Sequence, residues 1–308
     1  MSLLKHIQLT STKNLLTDVE NRRVYNLENC ELNVFETYRP AEQVQLTFHD
    51  LVITSMVRGK KVMHLPGTRE FDYFPGETVL APAGTRMYID FPTAEEKDPT
   101  QCIALTLDSA RVRKTIDYLN EYHPKATPGG NWNINFQLTH FRNSTDLADV
   151  MNKMVGVCME KKITKDVLAD LTMKELIVRL VQLQYLEQLD TAELTARHDS
   201  PFFSVIAYIK QNLGSKLDID HLSRKACMGR SQFFRAFKRE FGITPVQFII
   251  RERLKKAKNL LLNSSYNVQQ ISMETGFDDV NNFIKAFKRT EGATPGSYRM
   301  KLVAAQNA

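Results

Sequence analysis

The chain has 308 residues, 43% of them hydrophobic and 25% charged, with a formal net charge of +6 at pH 7. The length predicts two domains of about 150 residues, the hydrophobic share allows a sizeable core, and no apolar run nears the roughly 20 residues of a bilayer span. The charge is unevenly placed: residues 201–308 hold 18 Lys+Arg and 8 Asp+Glu, a basic block after a mildly acidic body.

A basic block is either a solvated surface or a site for a polyanion. The N-terminus, with Lys5 and His6 ahead of a polar stretch, lacks the apolar core of a signal peptide. Cys30, Cys102, Cys158 and Cys227 are far apart with no Cys-x-x-Cys pair. That spacing fits reduced thiols in a cytoplasm better than a disulfide framework or a zinc site.

Residues 1–28 are polar and mixed and read as an arm or irregular lead-in. From 32 to 107 short apolar or alternating runs, at 32–35, 51–57, 61–65, 78–81 and 102–107, are separated by turn residues such as Arg58-Gly59, Pro66-Gly67, Pro75-Gly76 and Ala83-Gly84. Strands at this spacing predict a small barrel or sandwich. Residues 108–122 read as a helix, 123–133 as a loop with Pro124, Pro128, Gly129 and Gly130, and 144–161 and 165–189 as two more helices. The last keeps Leu168, Leu171, Leu176, Ile177, Leu180, Leu183 and Leu186 at helical spacing. That stripe suits packing on its own barrel or an antiparallel pair across a dimer axis. The polar run 191–200 reads as a linker.

The last third repeats itself. Phe233, Ala236, Phe237, Lys238, Arg239, Gly242, Thr244 and Pro245 return 50 residues later as Phe283, Ala286, Phe287, Lys288, Arg289, Gly292, Thr294 and Pro295. Each copy reads as helix, tight turn and second helix, at about 218–241 and 268–290. Cys227-Met-Gly229 forms the first turn and Gly276 sits in the second. Gly242 and Gly292 end the second helices as C-terminal caps. Thr244, Pro245 and Gln247 start a linker helix with a capping box.

At about 100° per residue, Phe233, Ala236 and Phe237 share one face, and Ser231, Phe234, Arg235 and Lys238 lie opposite. In the second copy Phe283, Ala286 and Phe287 face in, while Asn281, Ile284, Lys285 and Lys288 face out. A helix of this size fits the DNA major groove, where Arg holds guanine, Asn holds adenine and an apolar side chain touches a thymine methyl. Lys238, Arg239, Lys288 and Arg289 would mainly hold phosphates. Basic residues at one place in two such helices favour DNA over bare solvent.

The run from Gly276-Phe277 through Phe287-Lys288 to Gly292-Ala-Thr-Pro-Gly-Ser-Tyr298-Arg299 resembles the C-terminal signature of the AraC/XylS family of bacterial transcription regulators. Carried over position by position, the resemblance implies base contacts from Arg230, Ser231, Phe234 and Arg235 in the first unit. In the second it implies Val280, Asn281, Asn282, Ile284 and Lys285. Ser272 stands where the family usually has Ala, and Val280 and Asn281 replace polar residues often seen there.

The N-terminal half is similar to family members with a cupin-like sensor barrel followed by two helices. Residues 75–84 look like the second cupin motif, but Met87 stands at the metal-binding histidine's place and no His-x-His pair occurs. The histidines stand singly, no metal set or catalytic constellation is recognisable, and an enzyme is not expected.

The expected fold is therefore an α+β multidomain chain. A cupin-like β-barrel regulatory domain (1–143) is followed by a helical dimerisation region (144–190), a linker (191–200) and an all-α DNA-binding domain (201–308) of two helix-turn-helix units joined by a linker helix. The resemblance implies a cytoplasmic, sequence-specific regulator with no cofactor. Its partners would be double-stranded DNA, a small-molecule effector in the barrel, a second copy of the chain, and RNA polymerase if it activates; a membrane is not among them. The alternative is an effector-independent regulator whose N-terminal half only dimerises or contacts protein. Arg39, Tyr73 and Trp132 are open as cavity lining or as ordinary packing.

Overall fold

Seven-residue apolar runs without strict alternation belong to strands buried on both faces. A computed structural model of the chain, describing residues 3–5, 7–9, 20–126, 130–191, 201–262 and 266–306, shows how both faces are covered. Residues 192–200 of the predicted linker, 191–200, lie outside the described residues, as do most of the lead-in and residues 127–129 of the loop. The chain divides into two compact units, one of residues 1–123 and 132–184, the other of 124–131 and 185–308.

The first unit is β-rich. Its strands are β1 (Glu20–Asn26), β2 (Cys30–Thr37), β3 (Ala41–Leu46), β4 (Leu51–Arg58), β5 (Lys61–His64), β6 (Phe71–Tyr73), β7 (Glu77–Ala81), β8 (Met87–Phe91), β9 (Thr100–Leu107) and β10 (His140–Arg142). They form a six-stranded sheet in the order β1-β2-β9-β4-β7-β10 and a four-stranded sheet in the order β3-β8-β5-β6. All pairings are antiparallel.

The larger sheet is buried twice. Val52 and Met56 of β4, Val79 and Ala81 of β7, and Cys102 and Ala104 of β9 share a core with Met63, Tyr73, Met87, Ile89 and Phe91 of the smaller sheet. Their sequence neighbours Ile53, Leu80, Ile103 and Leu105 point the other way, into a second core. That core is closed by α2 (Thr145–Met159) and α3 (Lys165–Thr191), through Leu147, Met151, Met154, Met173, Leu176, Ile177 and Leu180. The first helix, α1 (Ser109–Tyr122), is capped by Asp108, whose side chain accepts the Arg111 N–H.

Two expectations change. Residues 20–26 are not an irregular lead-in but strand β1, paired with β2 from Glu20↔Thr37 to Asn26↔Glu31. Its apolar content is too low to read as a strand; the ladder supplies what its side chains do not. The apolar stripe of α3 also divides: Leu176, Ile177, Leu180 and Leu183 are buried, whereas Leu168 and Leu171 are 39% and 56% exposed.

The second unit is helical. Its elements are α4 (Phe203–Gln211), α5 (Ile219–Lys225), α6 (Arg230–Phe241), α7 (Pro245–Leu261), α8 (Val268–Glu274), α9 (Val280–Glu291) and α10 (Pro295–Gln306). Phe202, Phe233, Phe237, Phe241 and Phe248 form one aromatic core, with ring centroids 4.5 to 6.0 Å apart. Phe277, Phe283, Phe287 and Tyr298 form the other, at 5.3 to 5.7 Å. Helix α7 serves both, placing Phe248 and Ile249 in the first core and Leu254, Ala257 and Leu261 in the second. Thr244 and Gln247 cap it reciprocally with Pro245 at the first turn, and Gly242 and Gly292 end α6 and α9 at φ 74° and 75°.

In the first helix-turn-helix Cys227–Gly229 lie between α5 and α6, as read, with Gly229 as the N-cap of α6 at φ −67°. The left-handed residue is Cys227, at φ 55°, in the place that Gly276 fills at φ 80° in the second unit.

Candidate nucleic-acid interface

The two recognition-type helices are amphipathic for one reason: every third or fourth residue is an aromatic or alanine that the core needs. Phe233 and Phe237 on α6 and Phe283 and Phe287 on α9 are fully buried, and Ala236 and Ala286 lie beside them. The same rotation leaves Arg230, Ser231, Arg235 and Lys238 exposed on α6, and Asn281, Asn282, Lys285 and Lys288 exposed on α9. Arg235, Lys238, Lys285 and Lys288 have no polar partner among the described residues, so their charged ends are available to a ligand.

Four predicted contacts are partly committed elsewhere. Phe234 is half-buried and sets its ring edge-on to Phe233 at 6.4 Å. Ile284 packs against the second core, and Val280 is half-buried at the start of α9. Arg230 is exposed but held by Asp220 of α5, with Nη1 3.0 and 3.2 Å from the two carboxylate oxygens. An exposed pair of this kind is worth little energy, but it fixes where the guanidinium starts.

Reading the faces residue by residue passes over Gln232. It is exposed on α6 at the place of Asn282, 50 residues on, and the repeat itself is the signal that finds it. Also missed is a groove of about 580 Å³ lined by Lys216, Arg253, Lys285 and Arg289 with Val246, Ile250 and Phe277. It brings together basic residues from outside α6, which no local pattern announces.

The signature residues Tyr298 and Arg299 are structural. The Tyr298 ring stands edge-on to Phe287 at 5.4 Å. Arg299 donates from Nε to the Leu261 carbonyl at 3.1 Å and from Nη2 to the Tyr266 carbonyl at 2.6 Å. Arg253 does similar work, donating to the carbonyls of Leu213 and Ser215, and burial holds its guanidinium below the ordinary arginine value.

In the first unit the residues considered for a cavity do not converge. Tyr73 is buried between the sheets, where its hydroxyl meets Thr54 at 3.1 Å. Trp132 is buried against Leu119 and Val181 and donates to the His123 carbonyl, while Arg39 is exposed. His64 pairs with Asp90 and His140 with Glu77. Among the described residues no three His, Cys, Asp or Glu side chains cluster as a metal site. No helix among them is long and apolar enough to cross a membrane.

Comparison with known proteins accords with this division. Residues 30–185 match the family described as AraC-type transcriptional regulator N-terminus, and residues 222–301 match a helix-turn-helix domain. The chain is 37% identical over 92 residues to the probable transcriptional regulator LumQ of Photobacterium leiognathi, covering 30% of this chain and 37% of that one. It is 30% identical over 150 residues to the transcriptional regulator MtrA of Neisseria gonorrhoeae, covering 47% and 50%. The match thus spans half or less of these two relatives' length. Among solved structures, the DNA-binding domain of AdpA in complex with a target DNA is 30% identical over 35% of this chain and 97% of that one, with a TM-score of 0.34. With a β-rich N-terminal unit, a helical C-terminal unit and the family's N-terminal domain over half its length, the chain belongs to the AraC family of transcription regulators.

Proposed function

We propose that the chain binds double-stranded DNA in a sequence-specific manner by placing α6 and α9 in major-groove segments about one turn, ~34 Å, apart. The observation that carries this reading is the pair of outward faces, exposed at Arg230, Ser231, Arg235 and Lys238 of α6 and at Asn281, Asn282, Lys285 and Lys288 of α9, with Phe234, Val280 and Ile284 half-buried among them, set on equivalent buried faces. Because the cores match and the outer faces do not, the two half-sites differ in sequence and one chain reads an asymmetric site. Lys238, Lys288 and the basic groove beside α7 take phosphates. The test is genome-wide mapping of bound DNA, followed by binding to the mapped site with the exposed residues of α6 and α9 replaced in turn. Undiminished binding after both replacements would overturn the reading.

We further propose that the first unit is a cupin-like regulatory domain that takes a small-molecule effector. A polar cavity of about 600 Å³ opens among Arg22, Asn29, Glu31, His49 and Asp50, a volume in the range of small-ligand sites. An effector acts only by binding one arrangement of the chain better than another. Thermal-shift screening of polar metabolites tests it, since a ligand at 100 Kd adds about 2.7 kcal/mol.

The dimer reading rests on Ile163, Val167, Leu168 and Leu171, exposed at helical spacing around the start of α3. A second copy covers them, in a regulator working in the cytoplasm and meeting RNA polymerase where it activates. Sedimentation of Val167→Glu and Leu171→Glu variants as monomers, beside a dimeric parent, is the expected result.

A further inference from the structure

Lys61 of β5 and Cys102 of β9 point at each other across the interior of the first unit. Both are buried, at 4% and 3% exposure. Lys61 Nζ lies 2.7 Å from Cys102 Sγ. Hydrogen bonds from nitrogen to oxygen centre at about 2.9–3.0 Å, and sulfur is a larger atom than oxygen. The separation is shorter than an ordinary N–H···S hydrogen bond and close to what two single bonds meeting at one bridging atom enforce.

The surroundings of the amine point the same way. Its other neighbour is the face of Phe91, 4.9 Å from Nζ, and no carboxylate pairs with it among the described residues. A buried ammonium without a carboxylate is costly. Conversion of the pair into a neutral covalent link removes that cost.

We propose that Lys61 and Cys102 are a redox modification site, at which one oxygen atom joins Nζ to Sγ as an N–O–S bridge. The co-reactant is dioxygen. The amine gives up one hydrogen and the thiol its one; both leave with one oxygen atom as water, and the other oxygen atom forms the new N–O and S–O bonds. Nitrogen and sulfur each lose two electrons, and dioxygen takes all four. Two equivalents of a dithiol return four electrons and restore amine, thiol and water, so the bridge sits on the reversible part of cysteine oxidation.

The position gives the bridge a mechanical consequence. β5 belongs to the four-stranded sheet and β9 to the six-stranded one, so the link ties the two sheets across their shared core. The two residues are 41 apart in sequence, and closing such a loop restricts the unfolded chain as a disulfide does.

Intact-mass measurement of the full chain, purified without reductant and held under air, tests the proposal. A species about 14 Da heavier than the reduced chain is expected, from one oxygen gained and two hydrogens lost, and dithiothreitol should remove it. Digestion should place the gain in a peptide pair joining Lys61 to Cys102. Cys102→Ser and Lys61→Arg should stay at the reduced mass, while a Cys30→Ser, Cys158→Ser double variant should keep the gain. Peptide mapping of the parent chain needs no variant to fold. The proposal is overturned by an unchanged mass under air, by a gain of about 16 or 32 Da alone, which is simple oxidation, or by a loss of about 2 Da alone, which is a disulfide. The heavier species should also melt at a higher temperature than the reduced chain and return with dithiothreitol; equal melting would leave no link between the sheets.

Discussion

Glu240 accepts the backbone N–H of Ala126 at 2.8 Å, across 114 residues of sequence, with its carboxylate almost fully buried. Its other oxygen takes the Tyr185 hydroxyl at 3.3 Å, and the Lys125 ammonium sits 3.9 Å over the Tyr185 ring. Tyr185 in turn stacks on Phe241 at 5.4 Å. A short piece of the loop before β10 is thereby held to the C-terminal end of α6.

Burial pushes the Glu240 carboxyl up, against the pull of the Ala126 N–H, the Lys125 charge and the Tyr185 hydroxyl. A carboxyl raised in the folded state holds its proton more tightly there than in the unfolded chain. Its contribution is full below the ordinary value of 4.5 and is lost as pH rises through the raised value. Glu240→Gln keeps an acceptor for Ala126 and never ionises. In urea unfolding it should therefore gain on the parent as pH rises from about 4 to 7; parallel pH profiles would contradict this. Glu240→Ala leaves the Ala126 N–H unpaired and should cost about 1–3 kcal/mol.

The two helix-turn-helix corners make opposite predictions. Cys227 holds φ 55° with a side chain attached, which costs about 1–2 kcal/mol. Cys227→Gly relieves that at some entropic cost and should stabilise the chain by roughly 0.5–1 kcal/mol. At Gly276 a Cβ would lie 2.2 Å from the Leu213 carbonyl oxygen and 2.8 Å from Arg253 Nη2. Gly276→Ala should cost more than about 3 kcal/mol, read as a fall in the urea midpoint.

Ser272 is 2% exposed and its hydroxyl has no hydrogen-bond partner among the described residues. Its counterpart Ser223 donates to the Asp220 carbonyl at 3.0 Å. Ser272→Ala, the residue more usual in the family, should raise stability by about 1 kcal/mol, whereas Ser223→Ala should lower it. Equal shifts from both would show that the missing partner is not the cause.

Arg235 and Lys238 should separate in DNA binding although both are exposed on α6. Arg235→Ala is expected to lose about 1–3 kcal/mol and relax preference at one base position. Lys238→Ala should weaken all sequences alike and lower the salt slope by about 1. Equal, sequence-independent losses measured by titration at several salt concentrations would refute the base-reading role of Arg235.

Much of the C-terminal unit is legible in the sequence. Helix length, the Phe/Ala face, the Thr244–Gln247 box and the terminal glycines are local: each depends on residues within a few positions, and the repeat states each twice. The same locality made the outward faces of α6 and α9 readable. Strands with apolar content, such as 51–58 and 100–107, were readable too, because burial on both faces leaves a run of apolar residues.

What the tertiary structure alone decided is non-local. Strand β1 exists because β2 offers a ladder, not because its own residues prefer one. The groove at Lys216, Arg253 and Arg289, the capture of Ala126 by Glu240, and the meeting of Lys61 with Cys102 each join residues far apart in sequence. A one-dimensional pattern records what a residue prefers. Which distant partner it meets is set by the packing of whole sheets and helices, and that is where charge, burial and reactivity are assigned.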